Sequence, residues 1–257
     1  MNICRYATLS KNLQTSVCQM TAGCRLHDQS SLSYPLSPKE GADCHYLAAN
    51  DLGELCAVLA VIPLDSNTAE ISAFTRPDQR KKGCFSRLLA LALNDYEDFD
   101  FLFAFSPRCK DTLATLDALD AEFSHEEHQM EFLLDRKQLP DISSPSHAGF
   151  TLTVPENILS PGAQWLLVQE AKLSSPIGSC LTSPVSPDCL CLHQVRITPS
   201  LRGQGLGRLL IRQLLWQLGQ TDISRVVLHV SGDNIPALSL YKKTGFRITE
   251  TLSYYYY

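Results

Sequence analysis

The sequence predicts an α/β (α+β) chain built as two similar sheet-and-helix domains in tandem. Two observations carry this reading. The C-terminal half runs strand, glycine-rich turn, helix, strand, short helix, and the N-terminal half repeats that order with changes. A third marks the join, a stretch rich in proline and serine from Leu139 to Gly149. The domains are expected over 1–136 and 150–257, with 137–149 as linker. At 257 residues the chain is long enough for two modest cores.

In the C-terminal half, Leu190 to Ile197 is an apolar, alternating stretch that reads as a strand, broken by Pro199 and Ser200. Arg202-Gly203-Gln204-Gly205-Leu206-Gly207 then opens a helix with Leu206, Leu209, Leu210 and Leu214 on its apolar face. A turn of this kind directs backbone N–H groups outward at the positive end of a helix dipole, where a phosphate or diphosphate can sit. Gly205 and Gly207 lack a Cβ, so a bulky anion can reach the backbone, and Arg202, Arg208 and Arg212 add positive charge. Val226 to Val230 reads as a second buried strand, and Asn234 to Thr244 as a short helix closed by Gly245 before Phe246. The glycines are not spaced G-x-G-x-x-G, and Arg208-Leu209 stands where a Walker loop needs Lys-Ser/Thr. The remaining alternative is a structural turn with no ligand.

A shift of 122 positions lays Pro77 on Pro199, Arg80 on Arg202 and Gly83 on Gly205. Phe85 then replaces the last glycine of the turn. With one added residue, Asp111 falls on Asn234, Ala114 on Ala237, Ala118 on Tyr241, Glu122 on Gly245 and Phe123 on Phe246. The first copy therefore reads as degenerate, although its turn is basic through Arg80, Lys81, Lys82 and Arg87. Upstream, Leu13 to Leu26 has helical spacing, and His45 to Asn50 and Leu55 to Pro63 read as strands. Trp165 to Lys172 and Ile177 to Pro184 are their counterparts. The second copy has little room for helices ahead of its first strands. Tyr254 to Tyr257 reads as a final strand, with rings alternating between faces.

A net charge of −5 argues against a broad nucleic-acid footprint. The N-terminus lacks a signal-peptide pattern and no apolar run reaches spanning length, so a cytoplasmic protein without a membrane segment is expected. The ten cysteines include no C-x-x-C pair and are expected to be reduced. Cys189, Cys191 and His193 suggest no fourth ligand, and His125-Glu126-Glu127-His128 is not H-E-x-x-H, so no metal is expected. The acidic run Asp95 to Asp100 reads as a solvated loop.

The order strand, R-x-x-G-x-G turn, helix, strand, N-x-x-A-x-x-x-Y-x-x-x-G-F, over Leu190 to Phe246, resembles the GNAT superfamily of acyl-CoA N-acyltransferases. The resemblance implies two GNAT-like domains, each a mixed, mostly antiparallel sheet flanked by helices, with the C-terminal one catalytic. Acetyl-CoA is the implied co-substrate, held in a V between the strands of Val195 and Val230. Its pantetheine amides would pair with backbone at Val195 and Ile197, and its diphosphate would lie on Arg202, Gly203, Gln204, Gly205, Leu206, Gly207 and Arg208, with Asn234 nearby. A primary amine, on a small molecule or a peptide, attacks the thioester directly, and Tyr241 donates a proton to the departing thiolate. The glutamate of some relatives would align with Cys191, so the base stays open between His193, the weaker His229 and a water relay. A non-catalytic acyl-CoA sensor is the alternative. A monomer or homodimer is expected.

Overall fold

Each half of the chain folds as a run of antiparallel strands that ends in one parallel step, with helices supplying the crossover. The computed structural model describes residues 1–135, 149–169 and 172–257. The linker expected at 137–149 therefore lies, apart from Gly149, outside the described residues.

The first half contains β1 (Asn2–Tyr6), α1 (Lys11–Asp28), β2 (Cys44–Ala49), β3 (Leu55–Pro63), β4 (Thr68–Thr75), α2 (Cys84–Asp95), β5 (Asp100–Phe105), α3 (Lys110–Ala118) and β6 (Glu122–Leu133). The second contains β7 (Phe150–Thr153), β8 (Ala163–Gln169), β9 (Lys172–Ser186), β10 (Cys189–Ile197), α4 (Leu206–Leu218), β11 (Arg225–Ser231), α5 (Ile235–Lys243) and β12 (Arg247–Tyr256). The expected strands and helices are present, except that the strand expected from Trp165 to Lys172 is described only to Gln169, residues 170 and 171 lie outside the described residues, and Lys172 opens β9.

The chain divides into two compact units, Met1–Glu126 with Leu252–Tyr257, and Glu127–Thr251. These units do not follow the sequence domains 1–136 and 150–257: the chain passes from one unit to the other inside β6 and inside β12. In the first unit the strand order is β1-β2-β3-β4-β5-β12, and in the second it is β7-β8-β9-β10-β11-β6. The pairings match step for step. β4 and β5 are parallel, as are β10 and β11, and every other neighbour pair in each unit is antiparallel among the described residues. Each copy thus gives its last strand to the other copy's sheet: Tyr255 pairs with Phe103, and Met130 with Leu228. No composition signal in β6 or β12 announces this exchange, because either strand satisfies an open edge equally well.

The cores follow the helical stripes. In the second unit Leu209, Leu210, Ile211, Leu214, Leu215 and Leu218 of α4 are all buried against Trp165, Leu190 and Leu228. The Trp165 indole donates to Thr182 Oγ1 at 3.0 Å, which satisfies its only polar atom. In the first unit Leu88, Leu89 and Ala92 of α2 pack with Leu59, Ile71 and Phe101. Neighbouring rings of β12 meet different partners: Tyr255 meets Phe105 at 5.6 Å, and Tyr254 stacks on His125 at 4.4 Å.

Helix ends correct the alignment of the two copies in one segment. The Ala121 N–H donates to Leu116 O, and the Phe246 N–H to Tyr241 O, each at 3.0 Å. Asp120 (φ 54°) takes the left-handed position that Gly245 (φ 99°) fills in the second copy. The counterpart of Tyr241 is therefore Leu116 rather than Ala118, and that of Phe246 is Ala121 rather than Phe123. The N-cap Asn234 corresponds to Cys109, not Asp111. Matching residue types across the copies misplaced this segment, because the cap geometry constrains a backbone angle and an aspartate can supply it.

Candidate active site

The site foreseen in the C-terminal copy is assembled wholly within the second unit. β10 and β11 pair only from Cys189 with Arg225 to Cys191 with Val227, and from Leu192 onward β10 has no further register with β11. On that side their backbone groups carry no strand pairing, and Val195 and Ile197 lie in this stretch with side chains half-buried against the core. Pro199–Leu201 forms a single 3₁₀ turn, and α4 starts from Gly205.

The turn leaves open space over two of its glycines. Gly203 (φ 78°) and Gly205 (φ 81°) adopt the left-handed region, and a Cβ on either would meet nothing within 4 Å. Gly207 works differently: a Cβ there would lie 3.3 Å from Leu240 Cδ2, so this glycine lets α4 sit close on α5. Leu206 is buried and can offer a ligand only its backbone. Arg202 donates its Nε to Ile197 O at 3.2 Å, which ties the side chain to the end of β10. Arg202, Gln204 and Arg208 are exposed, and no ion pair to a described residue engages Arg202, Arg208 or Arg212.

The first copy reproduces this backbone with different electrostatics. Arg80 (φ −67°, ψ 156°) overlies Arg202 (φ −68°, ψ 158°) in conformation and donates Nε to Thr75 O, again at 3.2 Å. Its guanidinium, however, is occupied. Nη2 lies 2.6 Å from Asp28 Oδ2 and Nη1 lies 3.1 Å from Asp111 Oδ2. Burial works to raise the Asp28 carboxyl, but Arg80 and His27 outweigh it and hold it below its ordinary value. In the second copy Pro236 stands at the helix position of Asp111, and the described residues contain no counterpart of α1, which carries Asp28. Lys81 (φ 60°) fills the left-handed position of Gly203.

Tyr241 lies on α5, 8% exposed, with its ring 5.8 Å from Phe246. Burial, reinforced by nearby Cys180, pushes its phenol up to about 12. It therefore keeps its proton at neutral pH and can act as a donor. His193, half-buried on β10, lies with Nε2 3.0 Å from Ser183 Oγ on β9, and that hydroxyl also accepts the Gly162 N–H. His229 is exposed on β11. Asn234 caps α5, its carboxamide oxygen accepting the Ala237 N–H at 3.2 Å.

Sequence reasoning missed the bulge in β10. The register against β9 shifts between His193 and Arg196, and Gln194 sits at φ 52°. β4 carries no such shift against β3. A glutamine gives no sign of a left-handed backbone, so nothing in the sequence pointed to it.

A family model described as "Acetyltransferase (GNAT) family" matches residues 121–246. Residues 121–246 thus belong to the GNAT acetyltransferase family. Among curated GNAT relatives, the mycothiol acetyltransferase of Renibacterium salmoninarum is 32% identical over 138 residues, covering 53% of this chain and 38% of that protein. That of Saccharomonospora viridis is 40% identical over 60 residues, covering 23% of this chain and 20% of that protein. The chain thus matches well under half of either relative. In fold it is similar to a GCN5-related N-acetyltransferase from Sphaerobacter thermophilus, with TM-score 0.76, 14% identity, and coverage of 99% and 95% of the two chains. A tandem GNAT protein from the clavulanic acid biosynthesis pathway gives TM-score 0.71 at 14% identity, covering 100% and 98%.

Proposed function

We propose that the chain transfers an acetyl group from acetyl-CoA to a primary amine in its second unit. The observation that carries this is the contrast between two arginines on one backbone: Arg80 is neutralised by Asp28 and Asp111, whereas Arg202 meets no described carboxylate beside two open glycines. The β10 edge after Cys191 would take the pantetheine amides at Val195 and Ile197, as if adding a strand. The turn from Arg202 to Gly207, with Arg208, would take the diphosphate through backbone N–H groups and charge. Acetyl-CoA, when bound, supplies an activated thioester.

The protein's own part is orientation and proton traffic. The bulge at Gln194 re-aims the β10 backbone beside the parting strands, so that an N–H there can face a developing oxyanion. Tyr241 holds a proton at neutral pH for the leaving thiolate. His193, oriented by Ser183, is the base we assign. The acceptor is a small-molecule or peptide amine; the relatives named mycothiol acetyltransferase favour a small molecule.

The test is CoA release, followed with a thiol reagent, on a panel of small amines and peptides. Turnover on one class is expected, and Arg202→Ala should raise the acetyl-CoA KM about tenfold or more, the loss of a charge-assisted contact to phosphate. Tight acetyl-CoA binding with no release across the panel would instead make the chain a sensor.

A further inference from the structure

The first unit contains a cavity of about 410 Å³ that the acetyl-transfer reading does not use. It opens between β4 and β5, whose register ends at Ile71 with Phe103, and is capped by α2 and α3. Its body is apolar, lined by Phe74, Phe85, Phe103, Phe105 and Leu116. Leu116 stands where the second copy has Tyr241, so the cavity has no proton donor at that place. Phe85 fills the position of Gly207 and narrows the approach to the turn.

Around the turn the cavity carries two carboxylates, Asp28 and Asp111, against two cations, Arg80 and Lys81. Arg80 is 13% exposed and spends its guanidinium on Asp28 and Asp111. Asp111 stays 45% exposed, with Lys81 Nζ 3.8 Å away, and a carboxylate with two such neighbours keeps acceptor capacity to spare. A diphosphate entering here would find the arginine of the turn already paired with two carboxylates. A single ammonium on an apolar body meets the opposite situation: rings to cover its carbon skeleton and a half-exposed carboxylate to bind its charge.

We propose that this cavity is a second small-molecule site, built for an amine with an apolar body and closed to diphosphates. It is independent of acetyl transfer in the second unit, and it makes the first copy a binding module rather than a spent enzyme.

Titration calorimetry of the full chain with 2-phenylethylamine, in the absence of acetyl-CoA, tests it. One saturable site is expected, with 3-phenylpropionate, the carboxylate twin, at least about tenfold weaker. Ala114 and Ala118 line the cavity from exposed positions on α3, so Ala114→Phe and Ala118→Phe plug it without disturbing the buried core. Each should abolish amine binding, and Asp111→Asn should weaken it about tenfold, while CoA binding stays unchanged at a single site. Amine binding that survives both plugs lies elsewhere and overturns the proposal. Equal affinity for the carboxylate, or a second CoA per chain that the plugs remove, overturns it as well.

Discussion

Tyr241, which we propose as the proton donor, is 8% exposed on a nine-residue helix, and its burial holds the proton on the phenol. Tyr241→Phe keeps the ring and its 5.8 Å contact with Phe246 but removes the proton. Turnover should fall about 10²–10⁴-fold, with acetyl-CoA affinity nearly unchanged in the same calorimetric titration. The same residue predicts an alkaline signature. A phenol raised in the folded state to about 12 favours folding below its free value of about 10. That contribution fades as pH rises from 10 towards 12. The difference between wild-type and Tyr241→Phe spectrophotometric titrations should show one tyrosine ionising near 12; a difference centred near 10 would show that burial leaves the phenol unperturbed. Arg202 and Arg80 teach the complementary lesson, that an identical backbone and an identical carbonyl contact leave the charge to be decided by residues distant in sequence.

Among the elements, β10 does most to define the site, because it must pair with β9, part from β11 and bulge within a few residues. The bulge holds Gln194 at φ 52°, where a β-branched residue is a steric outlier costing about 1–3 kcal/mol. Gln194→Val should therefore lower both stability and turnover, whereas Gln194→Gly should keep the fold and be at least as stable by urea unfolding. Equal turnover in the valine variant would detach the bulge from catalysis. Behind β10, Leu210 of α4 is fully buried. Leu210→Ala removes its packing and leaves a cavity, so a loss of about 2–5 kcal/mol is expected, read as a lower urea midpoint with unchanged slope.

For the whole molecule, the exchange of last strands makes the C-terminal residues structural for the N-terminal copy. Ser253 to Tyr256 pair with Phe105 to Leu102, and Tyr257 exchanges two backbone bonds of 2.9 Å with Phe101. Ending the chain at Thr251 should expose β5 as an open edge and strip Tyr255 from Phe105 and Phe123. Hydrogen exchange should then accelerate at Leu102 to Phe105, while Val226 to Val230 stay protected by their pairing with β6. Unchanged protection of β5 would show that the pairing contributes nothing to the first unit.

Local order was legible in the sequence because local forces set it. The stripe of leucines in α4, the proline and glycines that stop β10 and start the helix, and the duplicated turn are short-range patterns with one favourable conformation each. They sufficed to place the family, Tyr241 and the turn from Arg202 to Gly207. Tertiary structure decided the rest. Which sheet receives β6 and β12 depends on edges far apart in the chain, and a backbone hydrogen-bond ladder is blind to the side chains that sequence patterns report. Whether an arginine in a glycine-rich turn is open to an anion depends on carboxylates from α1 and α3, brought to Arg80 by packing and having no counterpart beside Arg202 among the described residues. The register of α3 against α5 was fixed by a left-handed cap that an aspartate and a glycine fill alike, so residue identity could not reveal it.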